Sequence, residues 1–119
     1  MQSIRKEDVQ QALDRLSNQQ VYVHLESNQG AYTQGAYPSA NKGPFHHTGV
    51  FIRNAGIRYS HGKITGDGPF RIGLKMEFGW VYAEGLTDWE QDDQGRILFV
   101  GYDLEGRLAV ALDLSQQPL

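Results

Sequence analysis

GDGPFRIGLKMEFGWVYAEGL, residues 66–86, reads as two β-strands joined by a tight turn. In the first strand Phe70, Ile72, Leu74 and Met76 alternate with Arg71, Gly73, Lys75 and Glu77. Successive strand side chains point to opposite faces, so this run buries one face and wets the other. The second strand puts Trp80, Tyr82 and Glu84 on one face and Val81 and Ala83 on the other. Gly79 falls in the turn, where a positive φ costs glycine little. This hairpin is the expected stability centre, with Phe70, Ile72 and Leu74 facing a core.

The same two-residue rhythm continues on both sides. VYVHLES (21–27) is a strand with Val21, Val23 and Leu25 on one face and Tyr22, His24 and Glu26 on the other. Val50 to Arg53 reads as a strand, Asn54-Ala55-Gly56 as a turn or bulge, and Ile57 to Ile64 as a further strand. LTDWEQDD (86–93) reads as an exposed edge. Gly95-Arg96-Ile97 and Gly106-Arg107-Leu108 repeat a glycine turn leading into an apolar strand, a meander signature. The last strand alternates Leu108, Val110, Leu112 and Leu114. Roughly eight or nine short strands at hairpin spacing predict an antiparallel sheet that closes or nearly closes, because an open sheet of that size leaves two long edges exposed.

One segment keeps a different period. In IRKEDVQQALDRLSN (4–18), Val9, Ala12, Leu13 and Leu16 fall on one helical stripe. Ser3 is the expected cap, Glu7 and Asp8 suit the positive end, Arg15 the negative end, and Asn18 the stop. Such a stripe ordinarily packs over a sheet or plugs a barrel end. The fold class is therefore mainly β: a single-domain antiparallel barrel-like meander with one N-terminal α-helix. The helix covers about 4–18, the β meander about 20–115, and an irregular loop about 34–49, where Pro38 and Pro44 oppose regular pairing and a lid is expected.

The composition sets limits. A length of 119 residues fits one domain, and 39% apolar with 21% charged residues fits a soluble globular chain. The absence of cysteine excludes disulfide and thiolate chemistry. With no leader pattern this places the expected home in the cytoplasm. A net charge of −3 gives no long-range pull on nucleic acid, and no apolar run approaches the roughly 20 residues that cross a bilayer. No nucleic-acid or membrane partner is expected.

Chemistry-bearing residues are few. His24 and Glu26 share a strand face, a two-ligand arm at most. Adjacent His46 and His47 point apart if extended, and no HExxH or cysteine pair completes a metal site. No metal or other cofactor is expected. Glu84 shares its face with Trp80 and Tyr82, an environment that raises a carboxyl pKa. Pairing with Arg71 or Lys75 across the hairpin is the more ordinary role. No nucleophile elbow, phosphate loop or dinucleotide fingerprint is present, and no catalytic residue is assigned.

KEDVQ (6–10), VYVHLE (21–26), FIRNA (51–55), HGKITGDGPFRIGLK (61–75) and GWVYAEGLT (79–87) together resemble the YojF-like family of bacillus-type bacteria. The similarity runs over nearly the whole chain, and residues 33–47 carry extra Gly, Pro and His. The resemblance implies a small cytosolic protein encoded beside a zinc-dependent deacetylase of low-molecular-weight thiol synthesis. The family is uncharacterised and lends no catalytic residue. From the residues themselves, the expected function is a non-enzymatic small-molecule-binding or accessory module linked to a metabolic enzyme. Tyr22, His24, Arg71, Trp80, Tyr82 and Glu84 are the candidate ligand-binding groups, the polar ones lining a barrel interior. The alternatives are a homodimeric interaction protein joined through residues 86–93, and a small enzyme using His24 or Glu84 as acid or base.

Overall fold

The computed structural model describes residues 1–27 and 49–119. Most of the 34–49 loop, with its expected lid and the His46-His47 pair, lies outside the described residues. In chain order the elements are β1 (Gln2–Ser3), α1 (Lys6–Arg15), β2 (Val21–Ser27), β3 (Val50–Ile57), β4 (Tyr59–Thr65), β5 (Phe70–Met76), β6 (Trp80–Leu86), β7 (Asp88–Gln91), β8 (Ile97–Tyr102) and β9 (Leu108–Ser115).

Every strand pair is antiparallel, and the strands form two sheets. One runs β1-β7-β8-β9-β2-β3 and the other β4-β5-β6. Only Arg58 separates β3 from β4, and only Thr87 separates β6 from β7. The chain thus turns a corner from one sheet to the other at both ends of the β4–β6 layer. The barrel-like expectation is met loosely: two sheets enclose the core, but among the described residues no ladder closes the ring. Register shifts at Val23/Leu25, Tyr59/His61, Phe70/Ile72 and Gly101/Tyr102 supply the bends, since a bulge sharpens local twist. Asn54, at φ 54°, makes the β3 bulge without ending the strand, and its amide binds both the N–H (2.6 Å) and the carbonyl (3.1 Å) of Leu119.

The core lies between the sheets. Val21, Val23, Ile72, Leu74, Ile97, Phe99, Leu112 and Leu114 are buried, and Trp89 stacks on Phe99 at 6.0 Å between centroids. Ile72 and Leu74 face inward as their alternation requires, with Phe70 and Met76 half-buried at the ends of β5.

Helix α1 buries Val9, Ala12 and Leu13 against this layer. The expected Ser3 cap is not made, because Ser3 pairs with Asp88 in the sheet and Arg5 precedes the first turn without a side-chain cap. Asn18, at φ 60°, does end the helical run and donates its N–H to the Tyr59 carbonyl at 2.7 Å. Above it, Gln10 Nε2 donates to Gly62 O at 2.7 Å and its Oε1 accepts from Ile64 N at 3.2 Å. One carboxamide thus stands where a neighbouring strand would pair with β4. The expected edge at 86–93 is only partly one: β7 pairs with β8 along its length, β1 covers Asp88 and Trp89 on the other side, and Glu90 and Gln91 stay exposed beyond it.

The Gly-Arg repeat builds the same turn twice. Asp92 Oδ1 accepts from the N–H groups of Gln94 and Arg96, and Asp103 Oδ1 from those of Glu105 and Arg107, all at 2.8–2.9 Å. Gly95 and Gly106 occupy the positive-φ positions at 84° and 79°.

Candidate functional site

The six residues singled out from the sequence divide between two surfaces, and none belongs to the packed core between the sheets. Tyr22 and His24 lie on the outer face of the six-stranded sheet. Arg71, Trp80, Tyr82 and Glu84 lie together on the outer face of β4–β6. The interior reading fails because Val23, Leu25, Ile72, Leu74 and Ala83, their strand neighbours, fill the core.

On the first surface, His24 and Glu26 are 1% and 0% exposed, and His24 Nε2 lies 2.5 Å from Glu26 Oε2. The imidazole meets Phe51 edge-on at 5.5 Å. Asp113 stands directly opposite His24 in the β2–β9 register and accepts from Arg96 Nη1 at 3.0 Å. Arg96 Nη2 also donates to the carbonyls of Gln117 and Pro118, each at 3.3 Å. A hydrogen-bonded His–Glu pair has the form of an acid–base dyad. Here both members lie on β2 and are shut off from solvent, which closes the pair to a dissolved reactant. Among the described residues no group of three or more His, Asp or Glu is placed to hold a metal ion.

On the second surface, Trp80 and Tyr82 stack with centroids 5.4 Å apart and planes 9° apart. The Arg71 guanidinium lies 5.4 Å from the Tyr82 ring centre and the Lys75 ammonium 6.0 Å from that of Trp80. Arg71 also forms an ion pair with Glu84. The rings lean into space left by Gly73, opposite Tyr82 on β5, where a Cβ would stand 2.8 Å from Tyr82 Cε1. Exposed Glu84 takes the cross-hairpin ion-pair role, not that of a carboxyl sealed against aromatic surface.

Where β6 parts from β2 and β9 there is a cleft of about 420 Å³, lined among others by Leu25, Tyr82, Glu84, Tyr102, Asp103 and Val110. Its floor is apolar and its rim carries two phenols and two carboxylates. The Asp103 carboxyl sits below its usual range, chiefly because the Arg107 backbone N–H binds its charged form, helped by the Arg107 side chain and the Glu105 N–H.

Residues 3–119 match the family described as "Protein of unknown function (DUF1806)". The chain belongs to this family. It is 44% identical over 119 residues to "Uncharacterized protein YojF" of Bacillus subtilis (strain 168), covering 99% of this chain and 97% of that relative. Its fold is similar to the crystal structure of the Bacillus subtilis YojF protein, with a TM-score of 0.77 and 42% identity over 98% of this chain and 94% of that one. The YojF-like resemblance read from residues 6–87 is therefore correct.

For this DUF1806 member, strand alternation alone brought Arg71, Trp80, Tyr82 and Glu84 onto one face. Tyr102, Asp103 and Val110 were missed as cleft residues. Their nearness to β6 arises from the packing of one sheet on the other, and the only sequence signal was the Gly-Arg repeat that marked Asp103 as a turn.

Proposed function

We propose that the chain is a non-catalytic binding module of the cytosol that takes a small polar molecule into the β6–β9 cleft and acts beside a metabolic enzyme. The observation that carries this reading is the cleft itself. Its volume of about 420 Å³ falls in the range of small-ligand sites, with an apolar floor and a few convergent polar groups. Tyr82 and Tyr102 offer hydroxyls, and Glu84 and Asp103 offer acceptors held in place by Arg71 and Arg107. That rim suits a neutral or cationic ligand rich in hydroxyl or amine groups. Carboxylates already engaged by arginine serve to orient such a ligand and are poorly placed to exchange protons.

The test is a thermal-shift screen of metabolites, small thiols and amino sugars included, run in parallel on the chain and on Val110→Trp, which fills the cleft. A true ligand at 100 times its Kd adds about 2.7 kcal/mol to the stability of the unaltered chain and nothing to the filled one. Failure of every compound at saturation, or equal stabilisation of both chains, overturns the reading.

A further inference from the structure

The outer face of β4–β6 carries more aromatic surface than the fold requires. The Tyr82 ring makes the closest cover over Gly73, yet Trp80 beside it stays 48% exposed, and Phe78, in the turn that leads into this strand, is 84% exposed. Trp, Tyr and Arg are the residues that dominate protein–protein binding energy, and here they stand on regular strands rather than on a loop. The charge of the face opposes that of the molecule. On the strands themselves Lys63, Arg71 and Lys75 face outward against the one carboxylate of Glu84, with Glu77 in the adjoining turn, on a chain whose net charge is −3. The rims of aromatic rings are themselves positive, which adds to the local field.

From this we infer that the outer face of the three-stranded sheet docks an acidic segment of a partner protein, its carboxylates on Lys63 and Lys75 and its apolar groups on Trp80. Carboxylates suit this face better than the bases of a nucleic acid. Stacking a base needs a free ring face, whereas Trp80 and Tyr82 already stack on each other, with Lys75 beyond one ring and Arg71 beyond the other. The surface adjoins the proposed ligand cleft at Tyr82 and Glu84, but Lys63, Lys75 and Trp80 do not line that cleft.

The experiment titrates the isotope-labelled full chain with a short peptide alternating Glu and Ala, with its Gln counterpart, and with an oligothymidylate, following amide and indole N–H resonances. The Glu peptide is expected to move the signals of Gly73, Lys75 and the Trp80 indole. Its affinity should fall at least about tenfold in Lys63→Glu/Lys75→Glu, and likewise for the unaltered chain in high salt. The inference is overturned if no resonance moves, if the Gln peptide does as well, or if the oligothymidylate binds this face more tightly. It is also overturned if the same signals move with protein concentration alone, which makes a second copy the occupant.

Discussion

Gly101 of β8 lies directly against Gly85 of β6: a Cβ on Gly101 would stand 1.9 Å from the Gly85 carbonyl oxygen and 2.9 Å from Val110 Cγ1. Two residues past Gly85, the Thr87 N–H donates to Val100 O at 2.8 Å, so β6 is drawn onto the six-stranded sheet as it turns into β7. This contact closes one corner of the fold and sets one wall of the cleft. Gly101→Ala puts a methyl group into backbone that has no side chain to rotate away. It should cost about 3 kcal/mol in a denaturant titration and weaken any cleft ligand along with it. A cost below about 1 kcal/mol would mean that β6 slides freely over β8.

The Gln10 carboxamide gives a second test, because it satisfies both a carbonyl and an N–H on the outer edge of β4. Gln10→Ala leaves that pair part-buried without its partner and should destabilise by about 1–3 kcal/mol. Gln10→Glu keeps the acceptor for Ile64 N but faces the Gly62 carbonyl with no donor, and should recover little of the loss. Faster amide exchange at Ile64 in both variants would locate the effect at this edge.

These two contacts show where sequence reading stopped. Alternation through Phe70–Met76 identified the inward Ile72 and Leu74, and the Gly-Arg repeat marked two hairpin turns, because both signals are local to the chain. Gln10 looked like any polar residue on the wet side of a helix, since its partner is more than fifty residues away. The single-residue corners at Arg58 and Thr87 left no trace, because a strand that continues and a strand that changes sheet share the same two-residue period. Alternation also placed His24 with Glu26, and Trp80 with Tyr82, on common faces. It carried no information on which of those faces is covered, and the buried one holds the ionisable pair while the exposed one holds the aromatics.

Burial pushes the Tyr59 phenol well above its ordinary value, with a further push from nearby Asp14, and its hydroxyl donates to Leu13 O at 2.6 Å. A folded value above the unfolded one means that this contribution is complete below about pH 10 and is lost as the pH rises beyond it. Tyr59→Phe should therefore cost about 1 kcal/mol at neutral pH and flatten the alkaline fall in stability. Ultraviolet titration of the intact chain should show this tyrosine ionising only as the fold is lost.

The His24–Glu26 pair makes a prediction of the opposite kind, on stability without catalysis. Removing one partner of a buried, hydrogen-bonded ionisable pair leaves the other buried, and Glu26→Ala should cost about 3–5 kcal/mol by chemical denaturation. Replacing both, as in His24→Leu/Glu26→Leu, should recover much of that loss. A double variant no more stable than the single one would show that the pair holds something besides β2.

Trp80 is the residue whose composition misleads most. A buried tryptophan truncated to alanine costs about 3–5 kcal/mol. Trp80, however, is 48% exposed, and its contacts are the Tyr82 ring and the Lys75 chain rather than the core. Trp80→Ala should cost about 1 kcal/mol or less in a denaturant titration, because half of the indole is already in water and Tyr82 still covers Gly73. Trp89→Ala, which empties the space beside Phe99 in the core, should cost several times more. If the two variants lose the same stability, the outer face of β4–β6 is part of the packed interior, and a partner surface there has no exposed ring to hold.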